Sequence, residues 1–395
     1  MLAKIIQRLK RASGAELKRG DRSLESGSIY SQRQNQRGFD GATQKLASFA
    51  LGFSLLWLSP NFSRAQDLAA IKLHVTDGYQ IADFAVAENG SVWLLEVGSL
   101  AEKKLPEVLI EVEPSGKQNE YKEGITAPSG SGAHMIAIGP DKSVWFLEMG
   151  KIGRLTPEGK IKEFSVTSSD DMRIASIAIG PDGNLWFARS GSIGKITIDG
   201  VVNEYRVGIL QPSFLWDIAA GADGNVWFAD KMGRVGRSTP DGVVTEFDVN
   251  VKKHVPVTSM AAGVDGNIWF LAGLGAGIGR ITSQGTVIPY VASPRGQSLI
   301  RDLAVGPNGN IWYVVPGKNV LGRVQLDGET NEYAIKSRYI LGVDGTKENV
   351  KSNGFHVSKI AFSPKGELWF LDRKNGTVGV IVPPYKEEAM PARFD

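Results

Sequence analysis

Seven copies of one short pattern constrain this chain more than any other feature. GPDGNLWFAR at residues 180–189 returns as GPDKSVWFLE from 139, GADGNVWFAD from 221, GVDGNIWFLA from 263 and GPNGNIWYVV from 306. Looser copies are AENGSVWLLE from 87 and SPKGELWFLD from 363. The central residue is Trp93, Trp145, Trp186, Trp227, Trp269, Trp312 and Trp369, at successive spacings of 52, 41, 41, 42, 43 and 57 residues. A period near 42, with insertions in the first and last intervals, is that of a β-propeller blade.

Residues 174–206 read as one unit of four strands. IASIAIG forms strand A, and PDGN a tight turn in which Pro181 presets φ and Gly183 takes the left-handed position. LWFAR is strand B, IGKIT strand C and VVNEYR strand D. Each is an apolar or alternating run of five to seven residues, as blade strands packed on both faces require. The expected fold class is therefore all-β: a seven-bladed propeller of four-stranded antiparallel blades. The repeated Trp is expected to form a ring between blades, burying about 150–250 Å² each. The last unit ends at strand C, TVGVIVPP (377–384), while AAIKLHVTDG (69–78) precedes the first strand A and looks like a strand D. The N-terminal strand is therefore expected to complete the last blade, which leaves no open sheet edge.

The leader differs in kind. Residues 1–65 hold 11 Lys+Arg and 4 Asp+Glu, a net of +7; the whole chain is +3, so the remainder is 3 − 7 = −4. Lys45 precedes the apolar run LASFALGFSLLWL (46–58), and Ser63 and Ala65 are small residues at −3 and −1 of a cleavage site after Ala65. The reading is a basic leader and signal peptide (1–65), a propeller (66–384) and a C-terminal tail (385–395), with export to the periplasm or medium. The alternative, an uncleaved anchor, asks a 13-residue run to span a bilayer that needs about 20. A chain with no Cys would rely on its core after export. The basic balance lies in the leader, so it is no argument for nucleic-acid binding. The expected partner is a small-molecule or peptide ligand on one face of a monomer, with no nucleic acid and no transmembrane span after signal removal.

In such a meander the D-to-A and B-to-C connections share one face, so two positions per blade are expected to look into one bowl. The first, eleven residues before Trp, is Ala82, His134, Ala175, Trp216, Thr258, Arg301 and Ser358. The second, three after it, is Glu96, Glu148, Arg189, Asp230, Ala272, Val315 and Asp372. These vary while the scaffold repeats, as on a rigid frame whose loops carry function. From them, Trp216, Arg301, Arg189, Asp230, Glu96 and Asp372 are taken as a ligand-binding face, with His254 and His356 from D-to-A connections. By contrast Asp83, Asp217 and Asp302 recur one residue into strand A and read as structural. Arg154, Arg237, Arg280 and Arg323 recur in strand C, expected to pack on a neighbouring blade's Trp or to pair with Glu. Lys142 stands where the other turns have Gly, so a left-handed Lys is expected there.

The unit GPDGNLWF…IGRIT with a D-strand E[FY], seven times over, resembles the virginiamycin B lyase (streptogramin lyase) family across residues 69–384. The resemblance implies a seven-bladed propeller and a Mg²⁺-dependent opening of a cyclic depsipeptide by elimination. It implies a His at the start of strand A and a Glu fourteen residues on, which here are His134 and Glu148. His134 would be the general base and Glu148 the ligand of a possible Mg²⁺, chemistry that suits both side chains. The same pattern has a second His where this chain has Ala82, and an acid where it has Gly132. Two functions stay open: an exported propeller that binds a ligand on its bowl with an incomplete lyase site, and a Mg²⁺-dependent carbon–oxygen lyase. A lactonase of the gluconolactonase kind fits the seven units less well. P-loop, dinucleotide, HExxH and GxSxG motifs are absent.

Overall fold

The repeated turns close hairpins for a definable reason. In blade 3, Gly183 N–H donates to Gly180 O at 3.0 Å and Gly180 N–H to Asn184 O at 2.9 Å. That is a type I turn followed by a left-handed residue, Gly183, at φ 75°. Asp182 then accepts the Trp186 indole N–H at 2.9 Å and the Asn184 side-chain amide at 2.9 Å. The Asp of the repeat thus satisfies the one polar atom of a ring that is otherwise buried. Lys142 holds the left-handed position in blade 2 at φ 66°, the one non-Gly residue with positive φ among those described.

A computed structural model of the chain describes residues 66–72, 79–98, 105, 107–126, 134–148, 151–166, 174–207, 214–249, 256–273, 277–292, 300–316, 320–336, 339–342, 347–349 and 356–381. The expected leader and tail, His254 and Gly132 lie outside them. Every regular element among the described residues is a strand, and these make seven blades in ring order. Blade 1 is Tyr79–Val86, Val92–Gly98, Val108–Val112 and Gln118–Tyr121. Blade 2 is Ile136–Ile138, Val144–Glu148, Lys151–Leu155 and Ile161–Ser165. Blade 4, which serves for comparison below, is Leu215–Ala220, Val226–Asp230, Arg234–Ser238 and Val244–Asp248. Strands Val357–Phe362, Leu368–Asp372 and Thr377–Ile381 of blade 7 are completed by Gln66–Lys72, antiparallel to the last. The N-terminal strand closes the ring as expected. It also pairs in parallel with the last strand of blade 6 and with Tyr339–Gly342, the first strand of a hairpin built from the long last insertion.

The core is seven apolar layers, one at each interface between blades. Trp186, Ala188 and Ile193 of blade 3 pack on Leu215, Ile218 and Phe228 of blade 4, and Trp369 and Leu371 of blade 7 pack on Ile81 and Phe84 of blade 1. Six of the seven Trp are buried. Trp93 departs from the expected ring: it is half-buried beside Tyr121, 5.5 Å away, in a blade whose strand D has only four residues. The D-strand aromatic stacks on the Trp of its own blade elsewhere too, as Tyr205 does on Trp186 at 5.9 Å. The strand-C glycine is also forced: a Cβ on Gly194 would lie 2.2 Å from the Phe187 ring opposite it.

Two recurring charged sets hold the blades together. Asp217 accepts Ser176 Oγ of blade 3 at 2.8 Å and Met260 N–H of blade 5 at 2.9 Å; Asp83 and Asp302 reach the next blade likewise, through Ile136 N–H and Ile360 N–H. The strand-C cations differ from the expectation. Arg154, Arg237 and Arg280 lie opposite the Trp of their own blade, 5.4–5.8 Å from its ring, and pair with the turn Asp instead of a Glu. The antiparallel register sets them directly across from that Trp, so the cation meets the nearest aromatic face.

Candidate functional site

The position eleven residues before each Trp has a backbone cause. Strands A and B pair with a shift in which Ile81 and Asp83, Ile174 and Ser176, Leu215 and Asp217, Val257 and Ser259, and Val357 and Lys359 flank one extra residue. That extra residue is Ala82, Ala175, Trp216, Thr258 or Ser358. Bulges of this kind re-aim a side chain out of the ladder. In blades 2 and 6 the equivalents, His134 and Arg301, sit just ahead of strand A.

These residues differ in exposure and partners. Trp216 is 45% exposed with the Lys231 ammonium 3.6 Å from its ring, next to the exposed Phe214. Arg301 is exposed. His356 is half-buried with Nε2 3.3 Å from Lys374 Nζ. Ala82 is buried.

The strand-B ends do not line the open bowl as expected; most are turned into its wall. Asp230 accepts Phe214 N–H at 3.1 Å and Met232 N–H at 2.9 Å and pairs with Arg234. Asp372 accepts His356 N–H at 2.9 Å and the backbone and side-chain amides of Asn375. Arg189 reaches back across its own blade to Ser192 and Glu204. Glu96 is buried. For Asp230 and Asp372 the cause is shared: the strand-B end lies beside the incoming D-to-A connection, whose backbone N–H groups need acceptors.

Glu148 occupies the same position and behaves differently. It is 2% exposed, and neither carboxylate oxygen accepts a hydrogen bond among the described residues. Burial pushes its pKa up to about 8, helped by the nearby Glu163 and Glu107 and opposed by Lys151. A protonated Glu148 can share its proton with Glu163. Glu163 itself is held below the usual range: burial raises it, but hydrogen bonds from Lys151 and Thr126 outweigh that. His134 comes from the incoming connection, its Nδ1 3.0 Å from Glu107 Oε1. Glu107 is fully buried just before strand C of blade 1; burial raises its pKa, and the bond to His134 opposes this. The mouth between blades 1 and 2 therefore gathers a His, three carboxylates and Lys151.

Sequence reasoning placed His134 and Glu148 but missed Glu107 and Glu163. Glu107 carried a signal. The residue immediately before strand C is Gly in blades 2, 3, 4 and 7, and Glu only in blade 1. Glu163 carried none, because the D-strand Glu recurs as Glu204, Glu246 and Glu332.

A model of the virginiamycin B lyase family matches residues 119–342, more than half of the chain. The chain belongs to the virginiamycin B lyase family. Among solved structures it is similar to a catalytically inactive virginiamycin B lyase from Staphylococcus aureus crystallised with quinupristin, at 25% identity and TM-score 0.65, covering 80% of this chain and 99% of that one. It is also similar to a streptogramin B lyase at 24% identity and TM-score 0.64, covering 80% and 97%. The WD40 propeller domain of Doa1, at 13% identity and TM-score 0.56, shares the fold alone. No curated protein sequence matches.

Whether Mg²⁺, which the family resemblance implies, suits this mouth can be judged from Glu148. Among the described residues no group of three or more His, Cys, Asp or Glu is placed to hold a metal ion. Mg²⁺ does not need one, since it is commonly held by one or two carboxylates and several waters. A buried carboxylate with two unpartnered oxygens beside a second carboxylate fits that mode.

Proposed function

We propose that the bowl binds a small cyclic or ester-bearing peptide, and that the mouth between blades 1 and 2 opens it by elimination. The observation that carries this reading is the His134–Glu107 pair set beside an unpartnered, buried Glu148. Elimination needs a base to take the proton α to a carbonyl. The freed electron pair becomes a carbon–carbon double bond, the carbon–oxygen bond to the ester breaks, and the ester leaves as a carboxylate. A neutral imidazole suits the first step. Glu148, protonated near neutral pH, offers a hydrogen bond to the carbonyl oxygen as negative charge develops there. If Mg²⁺ binds, Glu148 and Glu163 would hold it, and it would supply charge stabilisation at that same oxygen. Trp216 and Arg301, exposed at the mouths of blades 4 and 6, supply an aromatic face and a cation for the rest of the ligand. We place the protein outside the cytoplasm on the apolar run at 46–58 and the small residues before position 66.

A second reading, ligand binding without turnover, is favoured by Ala82, which cannot donate or accept a proton where the family resemblance expects a His. One assay separates the two. The chain from residue 66 onward is incubated with a streptogramin B, with Mg²⁺ or with EDTA, and followed by chromatography and mass. Elimination gives a ring-opened product of unchanged mass, whereas hydrolysis adds one water. The lyase reading expects that isobaric product and its loss in His134→Ala; loss in EDTA as well would place Mg²⁺ on Glu148 and Glu163, and retention would leave Glu148 as the protonated donor. No product at stoichiometric enzyme, together with a ligand-induced rise in melting temperature, would establish binding alone.

A further inference from the structure

We infer that Glu107 is a positioning residue that fixes the tautomer of His134 from the neighbouring blade. Its carboxylate oxygen lies 3.0 Å from His134 Nδ1, and its side chain has no exposure to solvent. An ionised Glu107 can only accept, so while it is ionised Nδ1 carries the proton and Nε2 the lone pair of the neutral ring. The two residues come from separate blades. Glu107 stands on the B-to-C connection of blade 1, which the long first insertion feeds, and His134 on the connection entering blade 2. The pair therefore also ties the orientation of the ring to the interface between those blades. Orientation by a carboxylate, whether the imidazole serves as base or as ligand, sharpens both its geometry and its basicity.

The inference rests on His134 acting as the base, but its test does not need turnover. Long-range ¹⁵N–¹H spectra of the full chain, with His134→Gln for assignment, report which ring nitrogen is protonated at a pH where the ring is neutral. The wild type is expected as the Nδ1–H form. Glu107→Leu, which removes the acceptor, is expected to shift the population to Nε2–H. Glu107→Gln, which keeps an acceptor oxygen, is expected to restore Nδ1–H. Wild-type His134 found as Nε2–H, or a tautomer unchanged in Glu107→Leu, would overturn the inference; the wild-type spectrum alone decides if the Leu variant does not fold. Where turnover is measured, Glu107→Leu should lower kcat by about 10²-fold or more with little change in KM, the scale of a misaligned general base, and Glu107→Gln should recover most of it. The expected tautomer without any turnover would sink the lyase reading and leave the positioning role standing.

Discussion

Asp230 and Glu148 stand at the same place, the last residue of strand B, in blades 4 and 2. Both are carboxylates and both are buried. Asp230 is saturated by two backbone N–H groups and Arg234, so its charge is fully employed in holding the D-to-A connection. Glu148 receives no hydrogen bond from the described residues, and it faces two further carboxylates across a mouth that holds a single paired lysine, Lys151. The same backbone position is structure in one copy and an unfilled acceptor in another. An acidic side chain in a repeat is thus read by what donates to it, not by where it falls in the pattern. Leaving a buried polar atom unpaired costs stability, and the cost is typically tolerated where a ligand or a proton is to be bound.

Substitutions at the two positions should separate them. The largest effect is expected at Asp230→Asn, which leaves Arg234 with its longer pair to Glu246, 3.6 Å away, as its remaining carboxylate contact among the described residues. A loss of about 2–3 kcal/mol is expected, the scale of a hydrogen bond to a charged group, and chemical denaturation at pH 7 measures it. A loss within error would mean the pair is dispensable and the contrast false.

Glu148→Gln should behave in the opposite sense. A carboxyl raised from 4.5 to about 8 in the folded protein binds its proton more tightly there than in the unfolded chain. Its contribution is fully present below pH 4.5 and is lost as the pH rises through 8. A neutral Gln has nothing to ionise, so the variant should gain on the wild type from pH 5 up to about 8 and level off beyond it. Thermal melts across that range measure the gain.

The smallest effect tests the opposite face of the same blade. Lys142→Gly relieves a left-handed non-Gly residue in the A–B turn of blade 2 and should stabilise by about 1 kcal/mol. It should leave the ring-opening assay untouched. A changed activity would couple this turn to the mouth.

Much of this architecture could be read from the chain because the repeat states it seven times. The turn, the strand order and the left-handed Lys142 all follow from local rules applied to each copy, and a closing N-terminal strand was legible too, though it was expected at 69–78 and lies at Gln66–Lys72. The mouth position of strand A was also legible, since Ala82, His134, Trp216 and Arg301 disagree where the scaffold agrees. What the sequence hid is pairing across blades. Glu107 reaches His134 only because an insertion in blade 1 meets the connection into blade 2. Asp230 and Asp372 looked like ligand groups because two of the donors to each are backbone N–H groups, which no residue name reveals. The strand-C arginines were assigned to the wrong Trp for a related reason: register within the blade placed them over their own ring.

The most direct test of the claim that the chemistry sits at one mouth, and the other copies are scaffold, is a side-by-side melt of Glu148→Gln and Asp230→Asn from pH 5 to 9. The contrast predicts that Asp230→Asn melts below the wild type throughout, while Glu148→Gln rises above it as the pH increases. If both variants lose stability alike across the range, Glu148 is another structural carboxylate and the two mouths are not different.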